Sequence, residues 1–235
     1  MTSATLIPLQ LSSEQSSRLL ELQAAFSQVC NALSPVVAQQ RCWNRVTLHH
    51  LMYRKLREQF PALGSQMICN AIYMVCKMAR LVYQSANSPF NVATMGDKLL
   101  PTIFFAADCP VHFDSHTLSM KSGRLSIFTL GGRMRFALDL LPHQMVMFAS
   151  RRVLEITLRQ GADGIHELSF LFSPPALALL ETSPAVSVAL PLDAVPALVT
   201  AIKLTTKAKA KTKTKVAVTA MPSSWPDYLQ VKEVR

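Results

Sequence analysis

The spacing of apolar side chains changes period after the stretch 85–98, which limits this chain to folds built from a separate helical block and a block of short strands. From Ser12 to Tyr83 apolar residues recur every three or four positions, whereas from Pro101 to Phe172 they fall in short runs between turns. Ahead of the helical block, Thr5 to Leu11 (TLIPLQL) alternates and reads as one strand, which Pro8 ends or confines to an edge. The expected fold is therefore α+β, a small β-barrel with a helical bundle inserted after its first strand. The expected divisions are residues 1–11 (first strand), 12–98 (helical lobe and linker), 99–173 (barrel) and 174–235 (C-terminal extension).

Within the helical block, Ser12-Ser13-Glu14-Gln15 supplies a capping hydroxyl with an acid and an amide in the first turn. Leu19, Leu22, Phe26, Val29 and Leu33 then form one stripe through Ser34. Pro35 ends that helix or opens a short second one over Val36–Gln40. Thr47 is the expected cap of a helix over residues 48–60, with Leu48, Leu51, Met52 and Leu56 as its apolar face. Pro61 and Gly64 break the chain before a helix over 65–84, which leaves Lys77 and Arg80 for solvent. Cys69 and Cys76 read as packing residues on that helix. Residues 85–98 (SANSPFNVATMGDK) read as a linker.

Strand character follows at 101–106, 111–113, 117–120, 125–130, 133–138, 153–159 and 165–172, with Pro142 opening a short helix over 141–150. Gly131-Gly132 and Gly161-Ala162-Asp163-Gly164 are hairpin turns. Turns every eight to twelve residues favour a barrel or a sandwich. After Pro174-Pro175 the chain is rich in Ala, Leu, Val and Pro to Leu204. Lys207, Lys209, Lys211, Lys213 and Lys215 then follow without an acid, as a strand with one charged face or as a disordered basic arm. Trp225 and Tyr228 are candidates to anchor the terminus.

A formal charge of +10 and a pI near 9.7 favour polyanionic partners. Half the residues are apolar and the mean hydropathy is +0.24, yet no apolar window of about 18 residues suits a membrane span. The longest stretch, Pro184 to Leu204, is interrupted by Pro191, Asp193 and Pro196. The apolar excess is instead expected to face a second protein subunit or another copy. Cys30, Cys42, Cys69, Cys76 and Cys109 form no CxxC pair, which argues against disulfide scaffolding and a zinc site. The opening residues have no signal-peptide pattern, so a cytoplasmic location is expected.

No phosphate-binding Gly-rich loop or Gly-x-Ser-x-Gly motif is present, and no cofactor is expected. His112, Asp114 and His116 would share one face of a continuous strand and could ligate a metal there. The same segment also reads as an ordinary strand, and no metal is expected. A nucleic-acid signal is stronger: Arg41, Trp43, Arg45, His49, His50, Tyr53, Arg54 and Arg57 crowd into 17 residues. Lys77, Arg80, Lys121, Arg124, Arg133, Arg135, Arg151 and Arg152, and the five tail lysines, extend the candidate surface, to which Arg159 adds. The competing reading makes Trp43 and Tyr53 core residues and the arginines merely solvated.

The order Trp-Asn…Leu-His-His-Leu-x-Tyr-x-x-Leu-Arg…Phe-Pro…Gln-Met…Ala-Ile…Val between Trp43 and Val75 resembles the helical recognition segment of TnpB-type proteins. These are transposon-encoded RNA-guided nucleases related to the compact type V CRISPR effectors. TLIPLQLSSEQSSRLLELQAAFSQVCNALS is similar to that family's first strand and helix. VHFDSHTLSMKSGRLSIFTLGGRMRFAL and RRVLEITLRQGADGIHELSFLF are similar to its wedge barrel. The resemblance covers residues 4 to 172, about three-quarters of the sequence. It implies a wedge-like barrel that holds a guide-RNA scaffold near Lys121, Arg124, Arg133 and Arg135. The family's RuvC-like nuclease needs an Asp, Glu, Asp set and a four-cysteine ribbon. After residue 172 this sequence offers only Glu181, Asp193, Asp227 and Glu233. The expectation is a non-catalytic subunit that binds guide RNA and target DNA, with any nuclease supplied in trans. The alternative is a guide-independent DNA-binding transcriptional regulator.

Overall fold

A computed structural model describes residues 2–121, 123–161, 163–174 and 225–232. Strand β1 (Ser3–Pro8) leads into the helices α1 (Ser13–Gln40), α2 (Arg45–Gln59), α3 (Ser65–Gln84) and the single turn α4 (Val92–Met95). Strands β2 (Thr102–Phe105), β3 (Val111–Phe113), β4 (Leu118–Lys121), β5 (Arg124–Thr129) and β6 (Gly132–Ala137) follow. Then come α5 (Pro142–Ser150), β7 (Val153–Gln160), β8 (His166–Phe172) and β9 (Leu229–Lys232). The protein is thus mixed α and β, with the four helices inserted after the first strand and every ladder antiparallel.

Local chemistry sets the helix ends. Ser12 accepts from the Gln15 backbone N–H while the Gln15 side chain accepts from the Ser12 N–H, a reciprocal capping box that starts α1. The helix runs through Pro35 rather than stopping there. Proline removes one helical hydrogen bond, but Leu33, Val37 and Ala38 are buried on both sides of it and hold the helix together. Helix α2 starts three residues earlier than its hydrophobic pattern suggested. Asn44, not Thr47, caps it by accepting from the N–H groups of Val46 and Thr47. Helix α3 spans the expected residues, and the expected linker contains the one-turn α4 capped by Asn91.

The polar side chains of α1 tie the helices to the strands. Asn31 donates to the Phe105 carbonyl (2.9 Å) and accepts from the Phe105 N–H (2.8 Å). Ser27 also donates to the Phe105 carbonyl, and Ser34 donates to that of Ile103. These bonds satisfy the side of β2 that faces the helix, while β9 pairs the other side. Phe26, Leu33, Ile72, Val75, Ile103 and Phe105 are buried at this junction.

The strands are arranged as β1-β8-β7-β3, β2-β9 and β4-β5-β6. Among the described residues none of these sheets closes into a barrel, which corrects the architecture expected from turn spacing. The physical reason is local: β3 is only three residues long and ends in an Asp114 turn that redirects the chain into β4. Pro8, which cannot donate to a ladder, ends β1 near Ala137 and Leu138 without a β1–β6 pairing. Both predicted hairpins form: Thr129 faces Gly132 and Gln160 faces His166. Gly132 adopts φ +95°, a value that favours glycine. The C-terminal anchors also engage, with Trp225 stacked on Phe90 at 5.6 Å and Leu229 buried beside β2.

Asn31→Ala should destabilise the protein by about 2–3 kcal/mol, because it leaves the backbone N–H of buried Phe105 unpaired and its carbonyl with Ser27 as the remaining side-chain donor. Ser12→Ala should cost only about 1 kcal/mol, the worth of a cap. Urea unfolding of the two variants checks the order; equal losses would mean that α1 is not stitched to β2 through Asn31.

Candidate nucleic-acid interface

The three-stranded sheet collects four predicted cations on one face. In β5, Leu125, Ile127 and Thr129 are buried, so the pleat turns Arg124, Ser126 and Phe128 outward. The register sets Lys121 beside Arg124, and Ser126 between Ser119 and Arg135. Arg133 lies opposite Phe128, and its guanidinium donates to the His116 carbonyl (2.5 Å) and the Ser126 hydroxyl (3.3 Å). Lys121, Arg124, Arg133 and Arg135 are all exposed, and the sequence has no acid between Asp114 and Asp139. The face is thus cationic, with hydroxyls between the charges, a combination suited to phosphate oxygens.

The corner between α2 and α3 abuts this sheet. A β-carbon on Gly64 would lie 2.6 Å from the Phe128 ring, so glycine permits the close approach. The Gln66 amide donates to Asp114, and Arg57 donates to the Leu63 carbonyl inside the corner. Arg18 of α1 reaches the β5–β6 turn, donating to Thr129 (3.1 Å). Apart from Arg57 and Leu63 within the corner, these contacts join residues far apart in the chain, so sequence periodicity alone did not reveal them.

Helix α2 carries the second cluster. Only Leu48 and Leu56 are buried in it. His49 and Tyr53 stack at 4.6 Å along one side, while His50 and Arg54 are exposed. Between Glu21 and Asp97 the sequence has one acid, Glu58, against Arg41, Arg45, Arg54, Lys55, Arg57, Lys77 and Arg80. The cluster does not present one uniform surface, however. Trp43 is half-buried against Tyr83 (5.8 Å), and its carbonyl accepts from Arg80. Arg41 sits in the left-handed region that ends α1 and donates to the Lys98 carbonyl. Arg45 lies over the Tyr73 ring at 5.6 Å.

Other predicted cations lie elsewhere. Lys77 contacts both carboxylate oxygens of Glu155 at 2.6 and 2.8 Å, a local role that the apolar pattern of α3 could not show. Arg151 donates to Ser3, Arg152 is exposed, and Arg159 pairs with Glu167 at 3.0 Å. Lys207, Lys209, Lys211, Lys213, Lys215 and Asp193 lie outside the described residues.

The His112, Asp114, His116 triplet does not converge. His112 is buried in β3, His116 is exposed, and Asp114 accepts from the N–H groups of His116 and Thr117 in a turn. Among the described residues no group of three His, Cys, Asp or Glu side chains could hold a metal ion. The five cysteines are unpaired, and burial pushes Cys109 up to about 12 and Cys76 up to about 11, consistent with packing roles. No helix among the described residues is long and apolar enough to cross a membrane.

His112 is part of a different cluster. Its Nδ1 lies 3.2 Å from Glu155, and Tyr73 packs edge-on at 5.4 Å. Burial pulls the imidazole down to about 4, outweighing the raising effect of Glu155, while Lys77 lowers it further. The ring is therefore neutral at pH 7, and Nδ1–H donates to the carboxylate.

Because the folded value lies below the ordinary 6.5, the unfolded chain binds the extra proton between pH 6.5 and 4. The His112 contribution is complete above pH 6.5 and is lost as pH falls through about 4, for a total of about 3 kcal/mol. His112→Asn, which retains a donor for Glu155, should flatten stability against pH across that window. Parallel wild-type and variant curves in pH-dependent urea melts would refute the assignment.

No protein-family model matches this sequence, and a search of curated proteins likewise finds no match.

Proposed function

We propose that this chain is a non-catalytic nucleic-acid-binding subunit of an RNA-guided complex. It grips a structured guide RNA through the β4-β5-β6 face and contacts target DNA through α2. The observation that carries this reading is the set of four exposed cations on one sheet face, interleaved with Ser119 and Ser126 and without an acid between strands. Such a face contacts phosphates of either nucleic acid; the choice of guide RNA rests on the resemblance to TnpB-type proteins. In that reading the sheets form a wedge-like domain and the helices a recognition lobe. Binding is favoured over cutting because Asp114, Glu155 and Glu167 are committed to a turn or to a cation. Any cleavage belongs to a nuclease acting in trans.

A guide-independent transcriptional regulator is the second reading, supported by the exposed His50 and Arg54 on a helix of 15 residues, long enough to enter a major groove. RNase treatment separates the two: it abolishes specific DNA binding only if a guide provides the specificity.

Protein purified after expression beside its native locus should carry one RNA species above the bulk background. Replacing Lys121, Arg124, Arg133 and Arg135 by Gln should weaken its RNA binding at least about 100-fold at physiological salt. The same change should reduce the slope of log affinity against log salt by roughly 0.7–0.9 per lost phosphate contact. An unenriched RNA pool, or an unchanged salt slope in a folded variant, rejects the proposal.

A further inference from the structure

A second candidate binding region lies on the outer face of the four-stranded sheet and is distinct from the cationic face. The register aligns His112 of β3, Thr157 of β7 and Ser169 of β8 in one row across adjacent strands. Along β7, Glu155, Thr157 and Arg159 share that face, spanning about 13 Å at the rise of an extended strand. The row is therefore bracketed by two ion pairs, Lys77–Glu155 on one side and Arg159–Glu167 on the other. A cavity of about 640 Å³ lies over it, walled by Asp108, Asp227 and Tyr228.

The lining favours a particular chemistry. Both cations at the cavity already have carboxylate partners, while Asp108 and Asp227 add two more acids, so a phosphate-rich ligand would meet unfavourable charge. With Nδ1–H of His112 donated to Glu155, its Nε2 retains a lone pair. Together with the two hydroxyls and the acids, the lining is rich in acceptors. Tyr228 supplies an aromatic wall on which a flat ring could stack. The volume suits a nucleoside-sized ligand.

We infer that this cavity is a binding site for a guanine base or nucleoside, whose N1–H and exocyclic amine are donated to a carboxylate while the hydroxyl row and Tyr228 hold the ring. A carboxylate accepts those two parallel donors together, whereas uracil and adenine present no such pair to it. The ligand is either free guanosine or an unpaired guanine of bound RNA. The inference does not require the cationic sheet face to bind RNA.

Guanosine titrated calorimetrically into the full chain should bind saturably, with adenosine and uridine weaker by about tenfold or more. Thr157→Val and Asp227→Asn should each weaken guanosine binding about tenfold without shifting the thermal melt. The variant with Lys121, Arg124, Arg133 and Arg135 replaced by Gln should bind guanosine as the parent does, which separates failure of this site from failure of the RNA grip. A short single-stranded oligonucleotide with one central guanine distinguishes the sources. Thr157-dependent binding of the oligonucleotide but not of guanosine assigns the site to a base of bound RNA, whereas equal affinities assign it to the free nucleoside. If neither probe binds in a manner that depends on Thr157 or Asp227, the inference is wrong.

Discussion

The pairing of the Asn31 amide with the backbone of Phe105 links the two halves of this protein. A buried strand edge facing a helix would ordinarily leave backbone donors and acceptors without partners. Asn31 supplies both an acceptor and a donor to one residue, while Ser27 and Ser34 donate to carbonyls of the same strand. Helix α1 therefore replaces a neighbouring strand along one side of β2. The helices inserted after β1 are held against the sheets by directed bonds as well as by the shared apolar core.

This attachment positions the α2–α3 corner on the β4-β5-β6 sheet, where Gly64 admits the Phe128 ring. The proposed RNA-binding surface depends on that juxtaposition more than on total charge. Of the cations singled out in the sequence, Lys77 and Arg159 are engaged by carboxylates and Arg41 and Arg80 by carbonyls. Lys121, Arg124 and Arg135 project from a sheet face with hydroxyl neighbours, and Arg133 is steadied there by His116 and Ser126. A net charge of +10 favours a polyanion, but partner geometry decides which charges are available.

Much of the secondary structure was legible because it is written in local spacing. The apolar stripe of α3, the capping hydroxyl of Ser12 and the Gly131-Gly132 turn each act within a few residues, and the observed elements follow them. Helix α2 began earlier because the Asn44 cap outweighed the first apolar residue as a start signal. Pro35 stayed helical because tertiary burial outweighed its local cost. Barrel closure could not be read from turn spacing, since it depends on which edges meet; here Pro8 and the Asp114 turn end the relevant ladders.

The sequence by itself determined the helix and strand blocks, the insertion of the helices after the first strand, and the excess of positive charge. These follow from side-chain period, capping chemistry and composition, all local or additive properties. Tertiary structure alone decided that Glu155 meets both Lys77 and His112, that Phe128 meets Gly64, and that four cations share one face of the three-stranded sheet. These pairings join residues far apart in the chain, and only packing and strand register bring their charges and hydrogen-bonding groups within reach of one another.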